Sequence, residues 1–220
     1  MVTLTQTEEN YLKAIYQRAI SSQKAVPTNA IAETLSTSPA AVTDMLQRLH
    51  EKKFVVYQKY QGVRIAEAGK VHALQVIRKH LLWEVFLVEK LKFGWEAVDE
   101  IAEQLEHIQS TLLIQRLDDF LGNPAHSPHG EPIPDAQGES THKVRVALTN
   151  VDVGEGGIAI AVKESTPQFL QYLSKRGIYI GVKISVIDKI PFDQSMDISI
   201  DGLPKVNISQ KVSDNILLVP

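Results

Sequence analysis

The stretch SPAAVTDMLQRLHEKKFVVYQKYQGVRI, residues 38–65, decides how the chain folds. Serine as N-cap with proline at the first helical position is a strong helix start. The hydroxyl accepts from a free backbone N–H, and the proline ring already holds a helical φ. Val42, Met45, Leu46 and Leu49 then fall at i, i+3, i+4 and i+7 and must face inward, leaving Thr43, Asp44, Gln47 and Arg48 outside. Phe54-Val55-Val56-Tyr57 and Val63-Arg64-Ile65 are two β-prone runs around Gln61-Gly62, the pattern of a hairpin with a glycine turn.

Upstream, Thr5-Gln6-Thr7-Glu8 fits a capping box ahead of a helix that buries Tyr11, Leu12, Ile15 and Tyr16. Ser21-Ser22-Gln23-Lys24 breaks that helix, and Pro27-Thr28 opens a second over Ile31, Ala32 and Leu35. Two helices, a polar turn, a polar-faced helix and a hairpin make a winged helix-turn-helix. Its third helix would enter a DNA major groove. Thr43 and Gln47 could reach base edges, Ala40 and Ala41 could touch thymine methyls, and Asp44 could accept from a cytosine amino group. Arg48, Lys59 and Arg64 are phosphate candidates, and Ser38 at the helix start joins the set. The plainer alternative is a small helical domain with a hairpin, its polar face merely solvated.

Past the hairpin, a long helix is expected from about Ala66 to Leu91. Its apolar positions (Val76, Ile77, Leu81, Leu82, Val85, Phe86, Val88) exceed one stripe, so it must be covered on more than one side, naturally by a dimer partner. A second helix is expected from about Glu96 through Leu112. Between His80 and His107 lie two runs of candidate metal ligands, HLLWE (His80, Glu84) and EQLEH (Glu103, Glu106, His107). On a helix, residues three and four apart share a face, so each run would present its ligands together. Histidine in a helix is commonly a hydrogen-bonded structural residue, and Glu103 and Glu106 could be solvated charges. Glu84 is harder to dismiss, because Leu81, Leu82, Val85 and Phe86 surround it and a carboxylate taken out of water needs a partner.

From Gly122 to Thr141 the composition turns to Pro, Gly, Ser and His, the best domain boundary. Beyond it the period becomes two: Ile158, Ile160 and Val162 alternate with Ala159 and Ala161, and Met196, Ile198 and Ile200 with Asp197, Ser199 and Asp201. Asp201-Gly202 turns the chain into Val206 and Ile208, and one helix (Gln168 to Lys175) interrupts the strands. Such short strands suggest a small barrel.

The bulk properties agree with this division. Two hundred and twenty residues suit more than one small domain. The net charge of −3 argues against a uniformly basic coat, yet residues 1–75 hold nine Lys/Arg against six Asp/Glu. The chain has no cysteine, which excludes disulfides, zinc-thiolate sites and a thiol nucleophile. No signal peptide and no membrane span are read from it, so a cytoplasmic protein is expected. An enzyme reading fails on the motifs: a di-iron oxidase needs Glu-x-x-His from each of two helices, and HExxH, a nucleophile elbow and a phosphate loop are missing.

The runs SPAAVTDMLQRLHEKKFVVYQKYQGV, VIRKHLLWEVFL, EQLEHIQS and SPHGEPIP together resemble the diphtheria-toxin-repressor family, including its manganese-sensing branch. The resemblance covers roughly residues 5–135, and the remainder resembles the family's optional SH3-like (FeoA-type) domain. It implies an α+β multidomain protein with a winged helix-turn-helix at 1–66, a helical metal-binding and dimerisation domain at 67–134, a linker at 135–144 and an SH3-like β-barrel at 145–220. It implies a metal-dependent repressor that binds a palindromic operator in double-stranded DNA as a homodimer and controls metal-uptake genes. His80, Glu84, Glu103, Glu106 and His107 match its ligands. Asn10 falls where the first helix supplies methionine or aspartate, Asp99 where iron sensors carry histidine, and Lys13 where some manganese sensors are acidic. Ser127 falls where some relatives place a cysteine, and Glu164 and Gln168 fall near the ancillary ligands of the SH3-like domain. A set of imidazole and carboxylate donors without sulfur favours Mn(II), with Fe(II) as the alternative. The competing reading is a metal-independent winged-helix regulator gated by a small organic ligand.

Overall fold

The computed structural model describes residues 4–22, 25–59, 61–135, 138 and 145–219. The chain divides into two compact units, residues 1–80, 103–114 and 134–139 forming the first and residues 81–102, 115–133 and 140–220 the second. Most of the expected linker at 135–144 lies outside the described residues.

The first unit is built from α1 (Gln6–Ser22), α2 (Thr28–Thr34), α3 (Pro39–Glu51), the strands β1 (Val55–Gln58) and β2 (Gly62–Ile65), and the start of α4 (Glu67–Glu89). The capping box closes as expected: Thr5 N donates to Glu8 Oε2 at 3.0 Å and Glu8 N donates to Thr5 Oγ1 at 3.3 Å. Ser38 Oγ accepts from Ala41 N at the head of α3, with Pro39 as the first helical residue. Val42, Leu46 and Leu49 are fully buried against Leu12, Ile15, Ile31 and Val63, one core shared by three helices and the hairpin. The hairpin pairs Val55 with Ile65 and Gln58 with Gly62. Val26 adds a third edge, exchanging both backbone hydrogen bonds with Val63. Gly62 is required there: its φ is +88°, and a Cβ would stand 2.7 Å from the Val26 carbonyl oxygen.

One further bond fastens α1 to α3. The buried Glu8 carboxylate accepts from Lys52, the residue that caps the end of α3, at 2.5 Å. Burial alone would raise the Glu8 carboxyl, but Lys52 and the Thr5 groups outweigh it and hold it below its usual value.

One expectation about the central helices changes. In α4, Ala73, Val76, Leu82, Val85 and Leu87 are buried, while Ile77, Phe86 and Val88 are only partly covered. Further exposed apolar side chains stand at Leu91 and Phe93, beyond α4, and at Phe120. The single helix expected over 96–112 is three pieces: a 3-10 turn (Trp95–Ala97), α5 (Asp99–Leu105) and α6 (Thr111–Leu121). Ser110 is the missed punctuation. Its hydroxyl accepts from Leu113 N and its carbonyl from Ile114 N, so it starts a new helix. Glu106 and His107 therefore lie in the turn after α5, and do not share a helix face with Glu103.

In the second unit, β3 (Val146–Ala147), β4 (Gly156–Val162), β5 (Lys183–Ile190), β6 (Ser195–Ile200), β7 (Val206–Ile208) and β8 (Ile216–Val219) form one antiparallel sheet in the order β3-β8-β4-β5-β6-β7. Helix α7 (Pro167–Lys175) buries Phe169, Leu170 and Leu173 in its core, and α8 (Gln210–Asn215) adds Val212. Asp201 and Gly202 both take positive φ (48° and 77°), and Leu203 N closes the turn on Ile200 O, a type I′ geometry. Strand β4 reverses the face that its large residues suggest. Ala159 points inward while Ile158 is exposed, and a bulge between Ala159 and Ala161 brings Val162 back to the core; Ala161 is buried but is not part of that cluster. Glycine is forced at 157, since a Cβ there would stand 2.3 Å from the Val219 carbonyl oxygen.

Ser38→Ala should lower the unfolding free energy by about 1 kcal/mol, read from urea midpoints at constant slope. Because the Glu8 carboxyl is depressed, its contribution is complete above the usual 4.5 and is lost as pH falls through the lower folded value. Glu8→Gln keeps the cap but removes the charge, so its stability should depend less on pH below about 4.5 than that of the wild type, measured by urea unfolding across that range.

Candidate metal centre

Helix α1, fixed by its cap, presents Glu9, Asn10 and Lys13 from its first turns. In the first unit these meet the residues after α5. Glu106 is 0% exposed, and its Oε2 lies 2.7 Å from both Lys13 Nζ and His80 Nδ1. Burial alone would push this carboxyl up; the His80 ring and the Lys13 ammonium overcome it and hold the group below its usual value. A carboxylate only accepts, so His80 Nδ1 carries the hydrogen in this contact. The other Glu106 oxygen, Oε1, is buried and has no hydrogen-bond partner among the described residues, and the same is true of Asn10 Oδ1.

His107 turns the other way from its neighbour. Its Nδ1 lies 2.6 Å from Glu9 Oε2, which leaves Nε2 3.8 Å from Glu106 Oε1. Gln109 Nε2 donates to Glu9 Oε1 at 2.9 Å, and Lys79 Nζ lies 3.7 Å from the same oxygen. Burial depresses the Lys79 amine, against the pull of Glu9 and Glu106. Glu103 is exposed on α5.

In the second unit Glu84 is 2% exposed and lies 3.2 Å, by its Oε1, from His129 Nδ1. An oxygen of Asp99 lies within 4.8 Å of a Glu84 oxygen. His129 Nε2 contacts the Trp95 carbonyl oxygen at 2.8 Å. Burial would lower this ring's pKa, but Glu84 and the Trp95 carbonyl raise it on balance. Glu164 accepts from Thr166 Oγ1 at 2.8 Å, and Gln168 is exposed on the first turn of α7. Ser127 is buried; its hydroxyl accepts from His129 N and Glu131 N.

Glu9 and His129 escaped the sequence reading. A second acid beside the capping Glu8, and a histidine inside SPHGEP, were the only local signals. Neither spacing marks a ligand or its support.

The DNA-reading candidates gather on α3 and the hairpin. Ser38, Ala40, Ala41, Asp44, Gln47, Arg48, Lys59 and Arg64 are exposed. Thr43 is half-buried, and its hydroxyl donates to Pro39 O at 2.9 Å, so toward a base it can offer only a methyl or an acceptor lone pair. Pro39 and Thr43 of α3 and Tyr57, Lys59 and Gly62 of the hairpin border a cavity of about 430 Å³. Among the described residues no helix is long and apolar enough to cross a membrane.

Comparison with known proteins accounts for nearly the whole chain. The family model described as the iron-dependent repressor N-terminal DNA-binding domain matches residues 3–63. Its companion, the iron-dependent repressor metal-binding and dimerisation domain, matches residues 66–135, and the FeoA domain matches 146–220. An uncharacterised HTH-type transcriptional regulator of Methanocaldococcus jannaschii is 33% identical over 118 residues, covering 54% of this chain and 94% of that protein. The iron-dependent repressor IdeR of Mycobacterium leprae is 31% identical over 176 residues, covering 76% of this chain and 74% of IdeR. Among solved structures, a manganese-dependent transcriptional repressor in complex with manganese superposes with a TM-score of 0.84 at 30% identity, over 96% of this chain and 99% of that one. The repressor ScaR with bound zinc gives 0.75 at 28% identity, over 96% and 98%. With the third helix of the matched DNA-binding domain capped and exposed, carboxylates and imidazoles buried in each unit, and all three domains matched in order, the chain belongs to the iron-dependent repressor family, whose members are metal-dependent, DNA-binding, dimeric transcriptional repressors and not enzymes.

Proposed function

We propose that this repressor responds to Mn(II), with Fe(II) as the alternative, and closes metal-uptake genes by binding a palindromic operator as a homodimer. The observation that carries the reading is the pair of buried oxygens, Asn10 Oδ1 and Glu106 Oε1, which have no hydrogen-bond partner among the described residues. A buried acceptor without a donor is costly, and a cation is what such atoms lack. In the first unit Asn10, His80, Glu103, Glu106 and His107 are the candidate ligands, in the second Glu84 and Asp99, with Glu164 and Gln168 as further candidates. All offer oxygen or imidazole nitrogen, a composition that suits manganese. A structural neighbour described as complexed with manganese points the same way.

When bound, the ion would supply positive charge to acceptors that otherwise face one another. The chain's own part is to connect that charge to the reading helix. Asn10 belongs to α1 and Glu106 to the turn after α5, so sharing one ion would hold α1 against that turn. Helix α1 is in turn pinned to the end of α3 by Glu8 and Lys52. In a symmetric dimer the two α3 helices must stand about 34 Å apart, or a multiple of it, to read successive major grooves. The metal-bound state would favour that spacing by population shift.

Titrating the metal-free protein with Mn(II), Fe(II) and Zn(II), and following binding to a palindromic promoter fragment by fluorescence anisotropy, should show activation by Mn(II) or Fe(II). Glu106→Gln and His107→Ala should each lower the metal-dependent gain by about tenfold or more. Activation by none of the three ions, or a full response in both variants, refutes the reading. Lys59→Ala and Arg64→Ala should weaken binding to all sequences alike, each lowering the slope of log affinity against log salt by about 0.9.

A further inference from the structure

The cluster in the first unit already contains cations of its own. Lys13 Nζ lies 2.7 Å from Glu106 Oε2 and 3.4 Å from His80 Nδ1, its side chain 14% exposed and that of Glu106 fully buried. Lys79 Nζ stands 3.7 Å from Glu9 Oε1, and Glu9 Oε2 meets His107. Two buried carboxylates, Glu9 and Glu106, therefore face two ammonium groups, and these four charges balance one another without an ion. The remaining donor from α1 adds no charge. Asn10 brings a neutral amide oxygen, and it stands three residues before Lys13, so both lie on one face of the helix.

We infer that Lys13 is a tethered competitor of the metal, a residue that sets how much free metal is needed before the first-unit site fills. The inference rests on the reading of Glu106 as a ligand. An ion that uses Glu106 must either take the carboxylate from Lys13 or share it with a like charge. The first route gives up a short charge-assisted hydrogen bond, and the second adds repulsion in a place largely closed to water. Both lower affinity. Because the ammonium is attached to the chain, its local concentration is fixed and does not follow the supply of metal, so the threshold is built in. A point charge does not distinguish between ions of equal charge, so the penalty falls on every divalent ion alike. A Lys13 that only propped Glu106 in place for the ion would act with the opposite sign, since its loss would weaken binding.

Calorimetric titration of the full-length protein with Mn(II) and with Zn(II) tests this, reading the binding step that Glu106→Gln removes. Lys13→Met keeps the aliphatic stem and deletes the charge, and should tighten that step about tenfold or more for both ions. Lys13→Gln keeps a donor for Glu106, so it decides the matter if Lys13→Met does not fold, and it should tighten the step in the same direction. Lys13→Arg keeps the charge and should stay near the wild type. Unchanged or weaker binding in the folded neutral variants overturns the inference. So does a gain confined to one of the two ions, or an equal gain in Lys13→Arg, because charge is then not what competes. If no binding step of the wild type depends on Glu106, the ligand reading itself fails and the inference falls with it; failure of the competition alone leaves that reading standing.

Discussion

A carboxylate with no access to water governs the first unit. Removing such a charge from water costs several kcal/mol even after relaxation, and the cost is offset only by close, well-aimed partners. Glu106 meets it on one oxygen with Lys13 from α1 and His80 from α4. Three segments distant in sequence are thus held at one point by a charge that none of them could bury alone. The remaining oxygen has no such partner among the described residues, and the proposed metal function begins there.

The reading head depends on the same helix. Its core is ordinary: Val42, Leu46 and Leu49 close over Leu12 and Ile15 and would do so in any small helical domain. The particular feature is how α1 is fastened. Adjacent acids point in different directions, Glu8 to Lys52 at the end of α3 and Glu9 to His107 and Gln109. One helical turn therefore links the residues beside the proposed metal site to α3, the helix proposed to read DNA. The link is made of short charged contacts, which hold geometry more sharply than apolar packing does.

The C-terminal sheet shows how close approach decides residue type. Gly157 stands where a Cβ would meet the Val219 carbonyl oxygen, and Ala159 and Ala161 are buried beyond it on the same strand. On the same strand, Ile160 and Val162 receive the His129 loop. The same strand thus carries the loop whose His129 lies 3.2 Å from the Glu84 carboxylate.

Local chemistry was legible without coordinates. The hydroxyl of Ser38, the ring of Pro39, the Thr5–Glu8 pair and the Asp201-Gly202 turn act on backbone within four residues, so spacing alone revealed them. The imidazole and carboxylate runs around His80 and Glu106 were also visible in the sequence, and the family resemblance singled them out as ligand candidates. Only the tertiary structure decided which of them meet. It broke the helix at Ser110, turned His107 toward Glu9, set Lys13 on Glu106 and brought His129 to Glu84. Those pairings join residues from 45 to about a hundred positions apart, and desolvation in the folded core, which no local pattern encodes, determines which charges must find each other.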